Sequence, residues 1–213
     1  MNLDDLKYGN PPYKQAKKIN KDKSGLLKKS IEAGVIDDMI TNYPYPKNSS
    51  DTTKKEILYL NKLTDDTTFN DKLFCKIMEN HHYEFFKKVA DKLGIDVTLD
   101  EIEKWVGDVD PIIFYLKNEF NRPRPYQLAN YLKIDLNPIV TTDANSASYP
   151  SGHTMDFLVI IYNFIKLKPS TKNVLIKLYN KIKNVRELSG VHYPSDTKCS
   201  EILFKKLLTK HII

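Results

Sequence analysis

Apolar residues recur at helical spacing along most of the chain. Between residues 70 and 93 they fall largely three or four positions apart, and Gly94 is a suitable residue to end that helix. Similar spacing predicts further helices at 26–33, 53–63, 111–121, 171–188 and 195–208, with one or two turns at 99–105. Ser50 or Asp51 can cap the helix that begins at 53, and Pro111 suits the first position of its helix.

The composition favours a helical protein of one domain. The 213 residues are 41% hydrophobic and 11% aromatic, enough for one hydrophobic core and too few for two domains of ordinary size. Glycines number only seven, which suits helices better than a turn-rich sandwich. We therefore expect an all-α fold in a single domain over 1–213, with a motif core at 110–208 and a loosely assigned N-terminal part at 1–48.

The net charge of +6 does not indicate a nucleic-acid partner, because the lysines are interspersed with polar residues as on a solvated surface. The longest apolar run, 157–165, falls short of the ~20 residues of a membrane-spanning helix. The N-terminus has no targeting pattern, and Cys75 and Cys199 are expected to be reduced thiols. These features predict a soluble, cytoplasmic protein.

His192 lies four positions before Asp196, at a predicted helix start. Positions i and i+4 of a helix face the same side, so the carboxylate can accept the proton of one imidazole nitrogen and fix the tautomer. The other nitrogen then has a free lone pair, which can attack phosphorus and form a covalent phosphohistidine. His192 is the candidate nucleophile, and Asp196 is the group that orients it.

The turn at Ser151 and Gly152 precedes an apolar helix. Such a helix points unpaired backbone N–H groups and the positive end of its dipole at the turn, which favours an anion there. Gly152 would let a phosphate oxygen approach the backbone, and Ser151 can add a hydroxyl donor. A simple helix cap uses the same geometry, so both interpretations stay open. His153 would act as the general acid for the leaving alkoxide.

Three cations complete the candidate site: Lys117 near the end of a helix, Arg124 in a proline-rich turn, and Arg186 six residues before His192. A phosphoryl group in its transition state spreads charge over three oxygens, and guanidinium forks suit those oxygens well. Such groups would take over the charge-neutralising role that magnesium has in kinases. We therefore expect no metal and no cofactor.

Three segments together resemble the signature of the type 2 phosphatidic acid phosphatase (PAP2) superfamily: Lys117-x6-Arg124-Pro125, Pro150-Ser151-Gly152-His153 and Arg186-x5-His192-x3-Asp196. The resemblance is nearest to the soluble class A non-specific acid phosphatases, and the superfamily also includes the vanadium haloperoxidases. It implies a helical bundle with His192 and Asp196 as the nucleophile pair and His153 as the acid. It also implies a set of phosphate-binding residues: Lys117, Arg124, Ser151, Gly152 and Arg186.

Some positions depart from that signature or leave a role open. Val185 stands where the family usually has Ser, so one hydroxyl of the phosphate pocket is missing. Arg122 forms a second Arg-Pro pair without the family spacing from Lys117, and is either a contact at the rim or a solvated side chain. Asp108 and Asp110 are expected to cap a turn before the motif helix. His81 and His82 adjoin each other and would point different ways on a helix, which disfavours a metal pair.

The leading hypothesis is a metal-independent phosphoric monoester hydrolase that acts through phospho-His192 on a phosphorylated small molecule or a lipid phosphate. One alternative is a vanadate-dependent haloperoxidase that uses the same pocket, which the shortness of the chain disfavours. The other is a module that binds phosphate or a polyanion without turnover. An exposed apolar helix face leaves a homodimer open.

Overall fold

The computed structural model describes residues 2–9, 25–139 and 144–213. Within these ranges the secondary structure is entirely helical, so the predicted all-α fold is confirmed. The α-helices are α1 (Gly25–Glu32), α2 (Val35–Asn42), α3 (Asp51–Asp65), α4 (Phe69–Asn80), α5 (His82–Leu93), α6 (Leu99–Phe120), α7 (Pro125–Leu132), α8 (Gly152–Leu167), α9 (Lys172–Ile182), α10 (Val185–Leu188) and α11 (Pro194–Thr209). Short 3-10 segments lie at Leu3–Asp5 and Pro169–Thr171.

Helix α8 is central because it is apolar on nearly all sides. Its residues Met155 and Val159 pack into a cluster with α1, α2, α6 and α11. Phe157, Ile160 and Phe164, on other faces of the same helix, pack with α4, α5, α6 and α9. A helix that is hydrophobic all round is stable only when it is surrounded by other elements. The burial of α8 therefore fixes its N-terminus, which carries Ser151, Gly152 and His153, at a defined place between its neighbours.

Two predicted helix ends are confirmed by their local geometry. Ser50 precedes α3, and its hydroxyl accepts the backbone N–H of Thr53 at 3.2 Å. Gly94 ends α5 with φ 61°, in the left-handed region that glycine adopts without steric cost. Both ends follow from local chemistry, which explains why the sequence alone could indicate them.

The predicted start of a helix at Pro111 is wrong, because α6 runs without interruption from Leu99 to Phe120. Proline removes one hydrogen bond inside the helix, but buried apolar residues continue on both sides of it, among them Val109, Ile112 and Leu116. Their burial outweighs the local defect. Asp108 and Asp110 consequently lie in the middle of the helix and do not cap a turn.

Two predicted helices are each divided. The segment at 70–93 forms α4 and α5, which separate at His81 with φ −140° and ψ 30° and pack against each other. The segment at 171–188 forms α9 and the short α10. Periodicity continues across such a break because both helices bury apolar residues in the same cluster. The spacing of apolar residues therefore does not reveal the change of direction between the two helices.

Two helices were not predicted. Helix α2 follows Gly34, whose φ of 70° turns the chain after α1. Helix α7 begins at Pro125, and the backbone N–H of Arg124 donates to the Gln127 side chain at 2.7 Å. Proline at the first helical position is a known start signal, and the sequence at Arg124-Pro125 was interpreted only as a turn.

Candidate active site

The predicted site residues come from five separate elements that meet at one place. Lys117 lies in the last turn of α6, Arg124 precedes α7, and Ser151 precedes α8. Arg186 lies on α10, and His192 precedes α11. All five side chains are buried, and each is no more than 5% exposed. The fold thus brings three cations and an imidazole together in the interior, where electrostatic interactions are strong.

His192 and Asp196 form the predicted pair. Nδ1 of His192 lies 2.9 Å from Oδ2 of Asp196, and the same oxygen accepts the backbone N–H of Tyr193 at 3.0 Å. Burial alone would raise the pKa of Asp196, but Arg122 and His192 outweigh it and hold that pKa at about 2. The carboxylate is therefore ionised, and Nδ1 of the imidazole carries the proton that it accepts.

The second nitrogen of His192 is not free, contrary to the sequence-based expectation. Its Nε2 lies 2.9 Å from Nη1 of Arg124, so the guanidinium donates to the imidazole lone pair. Nη1 and Nε of Arg124 also donate to the carbonyl oxygens of Val191 and Ser146, both at 2.9 Å. Burial, together with the charges of Arg124 and Lys117, lowers the pKa of His192 well below its ordinary value. The imidazole is held neutral and oriented at both nitrogens.

The start of α8 is fixed by hydrogen bonds to α11. The backbone N–H of Ser151 donates to the carbonyl of Asp196 at 3.3 Å, and the Ser200 hydroxyl donates to the carbonyl of Ser151 at 2.7 Å. Ser151 also caps α8, because its side chain accepts the N–H of Thr154 at 3.4 Å. A Cβ at Gly152 would meet only Ile113, at 3.9 Å. Packing within the described residues therefore does not require glycine at this position.

His153 lies at the rim of the site and is partly exposed. Its Nε2 is 3.5 Å from the carbonyl oxygen of Glu79, and its ring centroid is 4.8 Å from that of His82. Burial, followed by the charges of Arg186, His82 and His192, lowers the pKa of His153 well below its ordinary value. In the structure His153 therefore contacts α4 and α5, through the carbonyl of Glu79 and the ring of His82.

Lys117 and Arg186 are buried beside the histidines. The ammonium of Lys117 donates to the carbonyl of Ala147, and burial, then Arg124, lowers its pKa well below the usual range. Nη1 of Arg186 lies 3.5 Å from Oε2 of Glu79. Burial and then Arg186 also lower the pKa of Arg124, to about 10. Cations that repel one another in this way would be stabilised by an anion between them.

Arg122 is neither a rim contact nor a solvated side chain, so both interpretations of it are wrong. Its side chain is fully buried, and Nη1 lies 2.7 Å from Oδ1 of Asp196 and 2.7 Å from the Ser195 hydroxyl. Nη2 donates to Oε2 of Glu56 at 3.2 Å, and the guanidinium carbon lies 3.6 Å from the ring centroid of Tyr193. The partners come from α3 and α11, which sequence spacing could not relate to this arginine.

Sequence reasoning also missed a cluster of buried residues behind His153. Nε2 of His82 lies 3.6 Å from Oδ2 of Asp156, one turn along α8 from His153. Burial, followed by Arg186, lowers the pKa of His82 to about 4. Burial and then Asp110 raise the pKa of Asp156 well above its ordinary value. The helical spacing of Asp156 from His153 was a usable signal, whereas nothing local linked His82 to either residue.

Val185 lies in the hydrophobic core, where it is 3% exposed and packs in the cluster around α8. Its carbonyl oxygen accepts the Ser189 hydroxyl at 2.9 Å and faces Sγ of Cys75 at 3.7 Å. The side chain that departs from the family signature therefore contributes apolar packing behind Arg186. It adds no polar group to the site.

No protein-family model matches the sequence, and no curated protein matches it either. Among solved structures, the chain is similar to the transmembrane PAP2-type phosphatidylglycerolphosphate phosphatase from Bacillus subtilis. The TM-score is 0.49 with 18% sequence identity, and the alignment covers 87% of this chain and 94% of the other. The relations to soluble class A acid phosphatases and to vanadium haloperoxidases stay predictions, as do the single-domain organisation and the homodimer.

The prediction of a soluble, cytoplasmic protein is wrong on this comparison, because the similar structure is described as that of a transmembrane protein. The prediction relied on apolar segments that are too short to span a bilayer. In the ranges that the structure describes, no helix combines the length and apolarity needed to cross a membrane. That finding does not assign a location to the protein.

Proposed function

We propose that this protein is a PAP2-type phosphatase that hydrolyses phosphate monoesters through a phosphohistidine at His192. The observation that carries the proposal is the chain of contacts from Asp196 through His192 to Arg124, with 2.9 Å on each side of the imidazole. A carboxylate fixes one nitrogen, and the other nitrogen meets a guanidinium that suits a phosphate oxygen. Such an arrangement would suit an oriented nucleophile next to an anion site.

The reaction would proceed in two balanced steps. In the first, Nε2 of His192 forms a bond to phosphorus, the ester P–O bond breaks, and His153 gives its proton to the leaving alkoxide. In the second, water attacks phosphorus, His153 takes a proton from that water, and the Nε2–P bond breaks to release phosphate. Asp196 keeps the proton on Nδ1 through both steps and stabilises the positive charge of the phosphorylated imidazole.

Arg124 must exchange partners for the first step. Its Nη1 donates to Nε2 of His192, the atom that would attack phosphorus. An arriving phosphate group offers oxygens that accept a charge-assisted hydrogen bond more strongly than a neutral imidazole does. A bound phosphate group would therefore take over the hydrogen bond from Arg124. Nε2 of His192 would then be free to attack the phosphorus atom of that same group.

His153 must be protonated to act as an acid, although its surroundings lower its pKa. A phosphate ester brings negative charge close to the imidazole, and an opposite charge at that range raises the pKa of a histidine. Protonation of His153 would thus be coupled to substrate binding. The positive charge of Arg186 opposes the protonation of His153 until a bound phosphate neutralises that charge.

The phosphate itself would be held by the start of α8 and by the three cations. The first turn of a helix leaves backbone N–H groups without partners inside the helix, and Gly152 adds no side chain there. Lys117, Arg124 and Arg186, which belong to other elements, would supply positive charge. This fixed charge supports our proposal that turnover needs no added metal.

The test is hydrolysis of p-nitrophenyl phosphate in excess EDTA between pH ~4 and 8. The wild type is compared with His192→Ala, and with His211→Asn as a control, because His211 lies outside the site at φ 52°, where Asn is tolerated. We expect turnover by the wild type and the control, and none by His192→Ala. Wild-type protein that is denatured in base during turnover should carry one phosphoryl group on His192.

Four outcomes would contradict the proposal or a part of it. Turnover that persists in His192→Ala would show that the reaction does not pass through a phosphohistidine at this residue. Loss of turnover in EDTA would show that the enzyme needs a metal ion. Binding of inorganic phosphate without turnover by any form would favour the phosphate-binding module. Oxidation of halide by peroxide after addition of vanadate would favour the haloperoxidase.

A further inference from the structure

We infer, building on the proposed function, that Arg122 and Glu56 are positioning residues that hold the carboxylate of Asp196 in line with Nδ1 of His192. The observation is a continuous set of hydrogen bonds from Glu56 on α3 through Arg122 to Asp196 on α11. Neither residue is hydrogen-bonded to His192 in the structure. Their effect would be transmitted through Asp196.

The two oxygens of Asp196 have different partners. Oδ2 faces Nδ1 of His192 and the N–H of Tyr193, whereas Oδ1 accepts Nη1 of Arg122 at 2.7 Å. Rotation of the carboxylate would break the short contact with Arg122. The plane of the carboxylate, and with it the direction of the hydrogen bond to His192, is therefore fixed from the Oδ1 side.

Glu56 fixes both Arg122 and the first turn of α11. Its Oε1 accepts the backbone N–H of Ser195 at 2.8 Å, and its Oε2 accepts the Ser195 hydroxyl at 2.9 Å and Nη2 of Arg122 at 3.2 Å. Ser195 directly precedes Asp196 in the chain. A carboxylate at the N-terminus of a helix is also favoured by the helix dipole. Glu56 thus ties α3 to the turn that carries the orienting group.

The guanidinium of Arg122 is bonded to groups of the protein itself, which leaves it unsuited to bind a phosphate. Both terminal nitrogens of its guanidinium donate to carboxylates, and one face of the guanidinium lies 3.6 Å from the ring centroid of Tyr193. Arg124, two residues later, instead directs Nη1 at His192. The two arginines of this short segment therefore have different tasks.

Loss of Arg122 would leave Asp196 as a buried carboxylate without its main cationic partner. Such a group takes up a proton or changes its orientation, because an uncompensated buried charge is strongly unfavourable. Either change would weaken the hydrogen bond to Nδ1 of His192. The phosphate-binding groups would remain in place, so the chemical step should suffer and substrate binding should not.

The experiment measures kcat and KM for Arg122→Lys, Arg124→Lys and Glu56→Gln with p-nitrophenyl phosphate. An ammonium keeps the charge of Arg122 but cannot bridge two carboxylates. We expect kcat of Arg122→Lys to fall about 10- to 100-fold, the range for the loss of an outer partner of a functional histidine, with KM nearly unchanged. Glu56→Gln should lower kcat less, and Arg124→Lys should raise KM.

Proton NMR gives a readout that does not depend on turnover. The Nδ1 proton of His192 should resonate at low field in the wild type, should be absent in His192→Ala, and should shift in Arg122→Lys. If the wild type hydrolyses no phosphate ester, the proposed function fails, while this resonance still tests the positioning role.

A raised KM with unchanged kcat in Arg122→Lys would show that Arg122 contacts the substrate and would overturn the inference. An unchanged rate together with an unchanged resonance would overturn it as well. If Arg122→Lys does not fold, Glu56→Gln decides, because the amide preserves the shape of the side chain. A reduced kcat in that variant supports the positioning role, and wild-type behaviour contradicts it.

Discussion

The two histidines of the site have unlike surroundings. His192 is bonded at both nitrogens, to Asp196 and to Arg124, each at 2.9 Å. His153 has one long contact of 3.5 Å with a carbonyl oxygen and otherwise meets the rings of His82 and Phe157. A nucleophile must be aligned before it attacks, whereas an acid must exchange protons with substrate and water. The difference suits the two roles that we propose.

The largest expected difference between the two histidines is in how strongly the rate of a variant depends on the leaving group of the ester. His153→Ala should slow the hydrolysis of an alkyl phosphate by roughly 10²- to 10⁴-fold, because its alkoxide needs a proton to leave. The loss for p-nitrophenyl phosphate should be much smaller, because nitrophenolate leaves without a proton. The measurement is kcat/KM for both esters with the wild type and the variant. Equal losses for the two esters would remove the general-acid role.

Arg186 lies on the side of His153, because its Nη1 is 3.5 Å from Oε2 of Glu79, and the carbonyl oxygen of the same residue is 3.5 Å from Nε2 of His153. Arg186→Lys should lower kcat/KM by about 10- to 100-fold although the charge is kept, because bidentate contact with phosphate is lost. Lys183→Arg is the matched control, since it changes the same groups at a partly exposed ion pair with Glu201. Near-normal activity of Arg186→Lys would make this arginine peripheral to the site.

The last predicted effect is on stability rather than on rate, and it concerns His82 in the cluster behind His153. The folded protein lowers the pKa of His82 from 6.5 to about 4, so between those pH values only the unfolded chain binds a proton at this residue. The stability linked to His82 is fully present above pH 6.5 and falls as the pH drops towards 4, by about 3 kcal/mol in total. His82→Phe should remove this dependence and keep the aromatic contacts.

The measurement for His82 is urea unfolding of the wild type and His82→Phe at pH 7.5 and pH 4.5. Because burial also lowers the pKa values of His153 and His192, the difference between the two proteins is needed to isolate the contribution of His82. We expect the variant to lose less stability on acidification than the wild type. Parallel losses in both proteins would show that His82 does not titrate as its burial implies.

The parts of the site that could be predicted are those that depend on local spacing. His192 and Asp196 are four residues apart, and Ser151, Gly152 and His153 are consecutive, so helix geometry alone relates their side chains. The caps at Ser50 and Gly94 are local in the same sense. Pro111 shows the limit of such reasoning, because a local signal for a helix start was overruled by the burial of apolar residues on both sides of it.

The positioning of Asp196 could not be predicted, because Arg122 lies 74 residues before it and Glu56 lies a further 66 residues upstream. No periodicity links positions so far apart. The neighbourhood of His82 and His153 has the same origin, with α5 meeting the start of α8 only in the folded chain.

The sequence by itself determined the helical class, most helix positions and the chemical groups that the candidate site contains, since these depend on composition, on a period of 3.6 residues and on short spacings. Only the tertiary structure decided which partner each group has. It turned Arg122 inward to Asp196 and directed Arg124 at the lone pair of His192. The physical reason is that a buried charge is unfavourable unless it is paired. The packing of α3, α6, α8 and α11 determines which partner each charge can reach.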